Sequence, residues 1–246
     1  MLILEWQTDN MSGHSKWATI KRAKATIDAK KGAIFTKLSN IITVAAKEKG
    51  GDLDTNFALR LAVEKAKQAN MPKDNIEKAI KRGTGELEGG QILELIYEGF
   101  GPEKSQFIVK SLTDNKNRSA SQIRHLFTKY GGSLGSVLWN FEQKGVVRIS
   151  EINFKVSNLE LDLIENGAQD IIEEDEGITI YTNVEDLNKL KTFLDKKEIN
   201  TESADIEHVA KEEQNVEGET KEKIENFINE LDDCEDVSDY YTNVSL

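Results

Sequence analysis

Residues 146–209 read VVRISEINFKVSNLELDLIENGAQDIIEEDEGITIYTNVEDLNKLKTFLDKKEINTESADIEHV, and their periodicity decides the fold. The apolar run 146–150 predicts a strand. Ser157 and Glu160 have the spacing of a capping box, ahead of a helix that stops at Gly167. Runs 168–172 and 178–182 predict a hairpin around the acidic turn 173–176. Thr182 and Glu185 form a second capping box for a helix built on Leu187, Leu190 and Leu194. A strand over 203–209 closes the series. The order β-α-β-β-α-β is that of a ferredoxin-like unit, here spanning 143–209.

The flanks complete each other. Runs 92–97 and 107–112 predict strands joined by the turn 99–102. A helix with Ile123, Leu126, Phe127 and Tyr130 inward ends at Gly131-Gly132, and a strand follows over 137–141. This β-β-α-β series lacks a final helix and strand. Beyond residue 209 stand a helix carrying Ile224, Phe227, Ile228 and Leu231 and a strand over 237–243, with no partners of their own. Residues 83–142 with 210–246 are therefore expected to form one discontinuous α/β domain, into which 143–209 is inserted.

Upstream the period is helical. Over 33–49, Ile34, Phe35, Leu38, Ile41, Ile42 and Ala45 share one face, and Thr36, Asn40, Thr43 and Lys47 the opposite one. Asp54 to Asn56 offer N-caps for a second helix. Pro72 suits the first turn of a third, which Gly83 and Gly85 close. The expected fold class is α+β: a three-helix N-terminal domain within 11–82, then two α/β domains, at least one ferredoxin-like. Residues 1–10 read as an extension ahead of Met11.

Charge sharpens the reading. The 246 residues carry a net charge of −12, with 38% hydrophobic and 31% charged residues, which suits a soluble globular protein. No uncharged apolar run approaches the roughly 20 residues that cross a bilayer. The one cysteine, Cys234, excludes an intrachain disulfide framework. With no export signal at its start, the chain is expected in the cytoplasm. The average of −12 argues against a nucleic-acid partner, but the distribution reverses that. Residues 11–82 carry 16 Lys plus Arg against 7 Asp plus Glu, or +9, whereas 160–246 carry 7 against 27, or −20.

The basic arm holds His14, Lys16, Lys21, Arg22, Lys24, Lys30 and Lys31, opposed by Asp28 alone, with Trp17 among them. Lysines neutralise phosphates and an aromatic ring can stack on a base. Trp17 can equally pin the arm to the helical domain. Lys37, Lys73, Lys81 and Arg82 extend the basic set.

Other chemistry is poorly represented. His14, His125 and His208 are scattered and joined by one cysteine, too few ligands for structural zinc. No P-loop is present. Gly131-Gly-Ser133-Leu-Gly135 matches the nucleophile-elbow pattern of a hydrolase, with Asp205 and His208 as partners. That elbow needs a strand before the serine and a helix after it, the reverse of the order here. The acidic runs 173–176 and 232–239 read as solvated turns, or as sites for a hard cation. No cofactor and no small-molecule substrate is indicated, so a non-enzymatic protein is expected.

The runs Gly13-His-Ser-Lys-Trp17, Asp28-Ala-Lys-Lys-Gly32, Phe35-Thr-Lys37, Asn70-Met-Pro-Lys-Asp-Asn-Ile76, Tyr97-Glu-Gly-Phe-Gly-Pro102, Leu112-Thr-Asp-Asn-Lys-Asn-Arg118 and Tyr130-Gly-Gly132 resemble those of the YebC/PmpR family. Eukaryotic relatives of that family include the mitochondrial translational activator of cytochrome oxidase subunit I. The resemblance implies a helical N-terminal domain and two α/β domains. It also implies one of two roles: a DNA-binding transcriptional regulator, or a ribosome-associated translation factor that meets ribosomal or transfer RNA. Ile20-Lys-Arg-Ala-Lys24 departs from the family's usual I-K-H-R-K, and the loop after Gly132 is shorter than usual.

Overall fold

The computed structural model describes Trp17 and residues 31–150, 159–174 and 177–245. The fold is α+β. Three helices, α1 (Lys31–Lys49), α2 (Phe57–Gln68) and α3 (Lys73–Gly83), form the N-terminal body. Ile42, Leu59, Ala66 and Ala79 are buried at its centre with Leu38, Val63 and Ile76. Burial of each such Leu, Ile or Val contributes about 2 kcal/mol. Asn56 is the cap of α2, its side chain accepting from Leu59 N at 3.1 Å. Pro72 stands at the N-cap of α3, one position before the first turn, in an extended conformation (φ −57°, ψ 140°).

Thr43 is not on a polar face. It is buried, and its hydroxyl donates to the Ala79 carbonyl at 3.1 Å. Gly83 is the cause. A Cβ there would lie 2.4 Å from the Thr43 carbonyl oxygen and 2.7 Å from Ala46 Cβ. Without one, α3 lies directly against α1.

The strands are β1 (Leu93–Phe100), β2 (Gln106–Thr113), β3 (Ser133–Leu134), β4 (Phe141–Ile149), β5 (Ala168–Glu174), β6 (Gly177–Thr182), β7 (Ser203–Ala210), β8 (Gln214–Asn215), β9 (Val237–Thr242) and β10 (Val244–Ser245). One antiparallel sheet has the order β3-β1-β2-β9, with Tyr97 opposite Val109 and Val109 opposite Tyr240. It combines three strands from the middle of the chain with one from its C-terminal part. Helices α4 (Lys116–Lys129) and α7 (Gly218–Asp233) pack on it through Ile123, Phe127, Ile224, Phe227 and Leu231. Phe227 makes edge-on contacts with Phe107 at 4.9 Å and Phe127 at 5.0 Å between ring centroids. Such pairs add about 1 kcal/mol beyond their burial.

The second sheet has the order β5-β6-β4-β7, antiparallel throughout, which is the ferredoxin-like order. Helices α5 (Glu160–Glu165) and α6 (Leu187–Lys196) bring Leu163, Leu187, Leu190 and Leu194 onto Val147, Ile149 and Ile180. Two details differ from the sequence reading. The expected strands 137–141 and 146–150 are replaced by a 3-10 turn, Leu138–Asn140, and one continuous strand, β4. Gly145 does not break that strand. A Cβ there would lie 2.9 Å from Leu187 Cβ, so glycine admits the start of α6. The capping box of Thr182 and Glu185 is absent too. Thr182 donates to the Gly167 carbonyl at 2.6 Å, and α6 begins after Asp186 with no side-chain cap. Ser157 lies outside the described residues.

Candidate nucleic-acid interface

Helix α3 buries Ile76 and Ala79 and exposes Lys73, Lys78, Lys81 and Arg82. Lys73 Nζ stands 3.6 Å from Glu77, with its side chain 88% exposed. The last turn of α1 adds exposed Lys47 and Lys49. Lys47 was legible as one turn beyond Thr43 on the same face, although its approach to Arg82 depends on how α1 and α3 pack. His14, Lys16, Lys21, Arg22, Lys24 and Lys30 lie outside the described residues. Lys31 opens α1, and its side chain lies outside them as well.

Two of the expected contact residues are engaged elsewhere. Trp17 is 3% exposed, and its indole Nε1 donates to Thr179 Oγ1 of β6 at 3.2 Å. The Thr179 hydroxyl donates onward to Glu174 at 3.0 Å. The ring is therefore held on the ferredoxin-like sheet, neither stacked in the helical body nor presented to a base. Lys37 is half-buried, and its ammonium donates at 2.6 Å to the carbonyl of Asp232, in the last turn of α7. A cation there complements the negative end of the helix. Burial lowers the Lys37 pKa, opposed by the nearby Asp232, Cys234, Asp233 and Asp239.

The C-terminal acids are thus partly structural. Asp236 accepts from Arg118 Nη2 at 2.7 Å and from Nε at 3.2 Å, a two-point pairing of guanidinium and carboxylate. Two further contacts hold the helical body to the ferredoxin-like unit. Arg60 donates to Asn188 at 2.8 Å, and Lys65 pairs with Asp205 at 2.7 Å. Burial pushes the Asp205 pKa up against the pull of Lys65.

Within the second sheet, Arg148 and Glu207 form a buried bidentate pair at 2.6 and 3.0 Å. Both carboxylate oxygens of Glu213 are buried without a hydrogen-bond partner. Burial, reinforced by Glu174, pushes that carboxyl up to about 7.

The hydrolase constellation does not assemble. Ser133 is exposed on β3 opposite Phe100. Asp205 is paired with Lys65, while His208 lies against Gln143 and the Tyr241 ring. The glycines before the serine serve a tight return: a Cβ on Gly132 would lie 2.1 Å from the Phe100 carbonyl oxygen. Among the described residues, no three His, Cys, Asp or Glu side chains are grouped to hold a metal, and no helix is long and apolar enough to cross a membrane.

Residues 15–86 match the model of the TACO1/YebC protein N-terminal domain, and residues 92–244 that of the TACO1/YebC second and third domain. A probable transcriptional regulatory protein of Thermotoga petrophila is 48% identical over 240 residues, covering 96% of this chain and 94% of that protein. Proteins of the same name from Desulfosudis oleivorans and Halothermothrix orenii are each 45% identical, covering 96% of this chain and 97% and 96% of their own length. The crystal structure of a conserved hypothetical protein from Aquifex aeolicus is also similar. It has a TM-score of 0.83 and 40% identity, over 93% of this chain and 96% of that one.

Proposed function

This chain belongs to the TACO1/YebC family, and from that premise we propose that it regulates gene expression by binding nucleic acid through its N-terminal helical body, without catalysing a reaction. The supporting observation is the partition of charge. Residues 11–82 carry +9 on a chain of net −12, with Lys47, Lys49, Lys81 and Arg82 exposed in the last turns of α1 and α3 and Lys78 exposed midway along α3. Positive charge confined to one end favours contact with phosphate by that end, with the acidic half kept away by repulsion. The relatives' name favours transcription as the setting, and to it we add DNA as the partner and the cytoplasm as the place of action.

A second reading, a translation factor that binds ribosomal or transfer RNA, draws on the kind of side chain displayed. Lysine ammonium groups supply most of the cations on the exposed face of α3, and they bind phosphate without reading base edges. Shape-selective contact with RNA suits such a face as well as a duplex does.

The test replaces Lys16, Lys21, Arg22 and Lys24 with Glu in one variant, and Lys73, Lys81 and Arg82 with Glu in another. Both are expected to lose nucleic-acid or ribosome association while keeping their fold. Undiminished ribosome co-sedimentation together with undiminished retardation of DNA would overturn the proposal. Crosslinking in cells separates the two settings, by recovery of promoter DNA or of ribosomal and transfer RNA.

A further inference from the structure

A cleft of about 230 Å3 opens where α1 and α3 cross, beside the segment that leads into β1. Its walls include Thr43, Lys47, Arg82, Gly83, Gly89 and Gly90. Two packing constraints build it. Gly83 allows the close crossing that places the last turn of α3, with Arg82, against the last turn of α1, with Lys47. Gly89 allows the strap over the cleft to run flush on Arg82, since a Cβ at 89 would lie 2.8 Å from both Cγ and Cδ of that side chain.

The donors in the cleft are not consumed internally. Neither Lys47 nor Arg82 forms an ion pair among the described residues, and the amides of Gly89 and Gly90 make no backbone hydrogen bond there. The nearest carboxylates differ in availability. Glu86 accepts the Thr84 hydroxyl at 2.9 Å, and Asp114 pairs with Arg118 at 2.9 Å. Glu48 and Glu88 are exposed to solvent. Cations in a last turn also complement the helix dipole, which accounts for Lys47 and Arg82 one at a time. It does not account for their convergence under a two-glycine strap.

We propose that this cleft seats a backbone phosphate of the bound nucleic acid. The Arg82 guanidinium and Lys47 ammonium supply charge, and the Gly89 and Gly90 amides supply neutral donors within reach of the same anion. This rests on the nucleic-acid reading above and adds the place of one phosphate.

The experiment uses the full chain with three probes: a single-stranded RNA, a DNA duplex and inorganic phosphate. The variants are Arg82→Gln, Lys47→Gln, Gly89→Ala and, outside the helical body, Lys196→Gln on α6. Each cleft variant is expected to weaken nucleic-acid binding about five- to tenfold. Arg82→Gln also lowers the slope of log affinity against log salt, by about 0.7 on single strands or 0.9 on duplex. Gly89→Ala changes no charge, yet is expected to match the loss in affinity because its methyl group displaces Arg82. Lys196→Gln is expected to bind as the unaltered protein does, and circular dichroism checks each fold. Cleft variants that bind like the unaltered protein would overturn the phosphate site and leave the broader reading standing. If the unaltered protein binds neither nucleic acid, both fall. Inorganic phosphate that binds dependent on Arg82, and that RNA and DNA fail to displace, would overturn the nucleic-acid source.

Discussion

Asn56 is where the helical body is most exposed to a single change. Its side chain is fully buried and makes three hydrogen bonds. Oδ1 accepts from Leu59 N at 3.1 Å, while Nδ2 donates to the carbonyls of Ala45 at 2.8 Å and Gly50 at 2.7 Å. One amide thus caps the start of α2 and satisfies the end of α1. Asn56→Ala removes a cap of about 1 kcal/mol. It also removes two bonds, one to the buried Ala45 carbonyl and one to the part-buried Gly50 carbonyl, at about 1 kcal/mol each. The expected loss is about 3 kcal/mol. The sharper variant is Asn56→Asp. As N-caps the two residues rank together, so capping alone forecasts no change. The structure forecasts a loss at least as large as that of alanine, because a carboxylate turns an acceptor toward two carbonyls. Its deficit should shrink as pH falls through the carboxylate range, since protonation restores an O–H donor and the folded-state pKa lies above the unfolded one. Urea unfolding at several pH values measures the loss, and hydrogen exchange across α1 and α2 places it. An Asp variant as stable as the parent at neutral pH would refute the role given to Nδ2.

Two further outcomes concern the buried carboxylates of Glu207 and Glu213. Arg148→Leu leaves Glu207 buried without its partner and should cost about 3–5 kcal/mol, whereas Arg148→Met with Glu207→Leu should recover most of it; a single variant within about 1 kcal/mol of the parent in thermal unfolding contradicts this. Glu213 titrates near 7 when folded and near 4.5 ordinarily, so the native state keeps a proton the unfolded chain has lost between those values. Stability should therefore decline as pH rises through that window and level off above it, and Glu213→Gln should flatten the decline in urea midpoints; an unchanged pH profile would show that this carboxyl is not the cause.

The legible parts of this chain were those whose cause is local. The ferredoxin-like unit could be read because its periods switch between 2 and 3.6 within a few residues and each switch is marked by a turn. The capping box at Thr182 failed because the hydroxyl finds a carbonyl acceptor at Gly167, across the unit, and spacing says nothing of that competitor. The strands expected at 137–141 and 146–150 did not foretell one continuous strand, because the glycine between them, Gly145, has a tertiary reason, the approach of Leu187. The site shows the same division. Segment charge is a sum over neighbours in sequence, so the basic head was visible. What each cation does depends on distant partners: Lys37 meets a carbonyl 195 residues away and Trp17 a hydroxyl 162 away.

Those distant partners change what the charge asymmetry means. A segment of −20 beside one of +9 reads first as a solvated tail repelled by the ligand of a basic head. Yet parts of that segment are an attachment surface. The Asp232 carbonyl binds Lys37 of α1, Asp236 binds Arg118 of α4, and Asp205 binds Lys65 of α2. Two of these three contacts join the helical body to the rest of the molecule. The acidic half therefore withdraws particular cations from the head and leaves others, Lys47, Lys81 and Arg82 among them, exposed. A phosphate ligand would meet that remainder, so the contacts that orient the head also select which of its charges face outward.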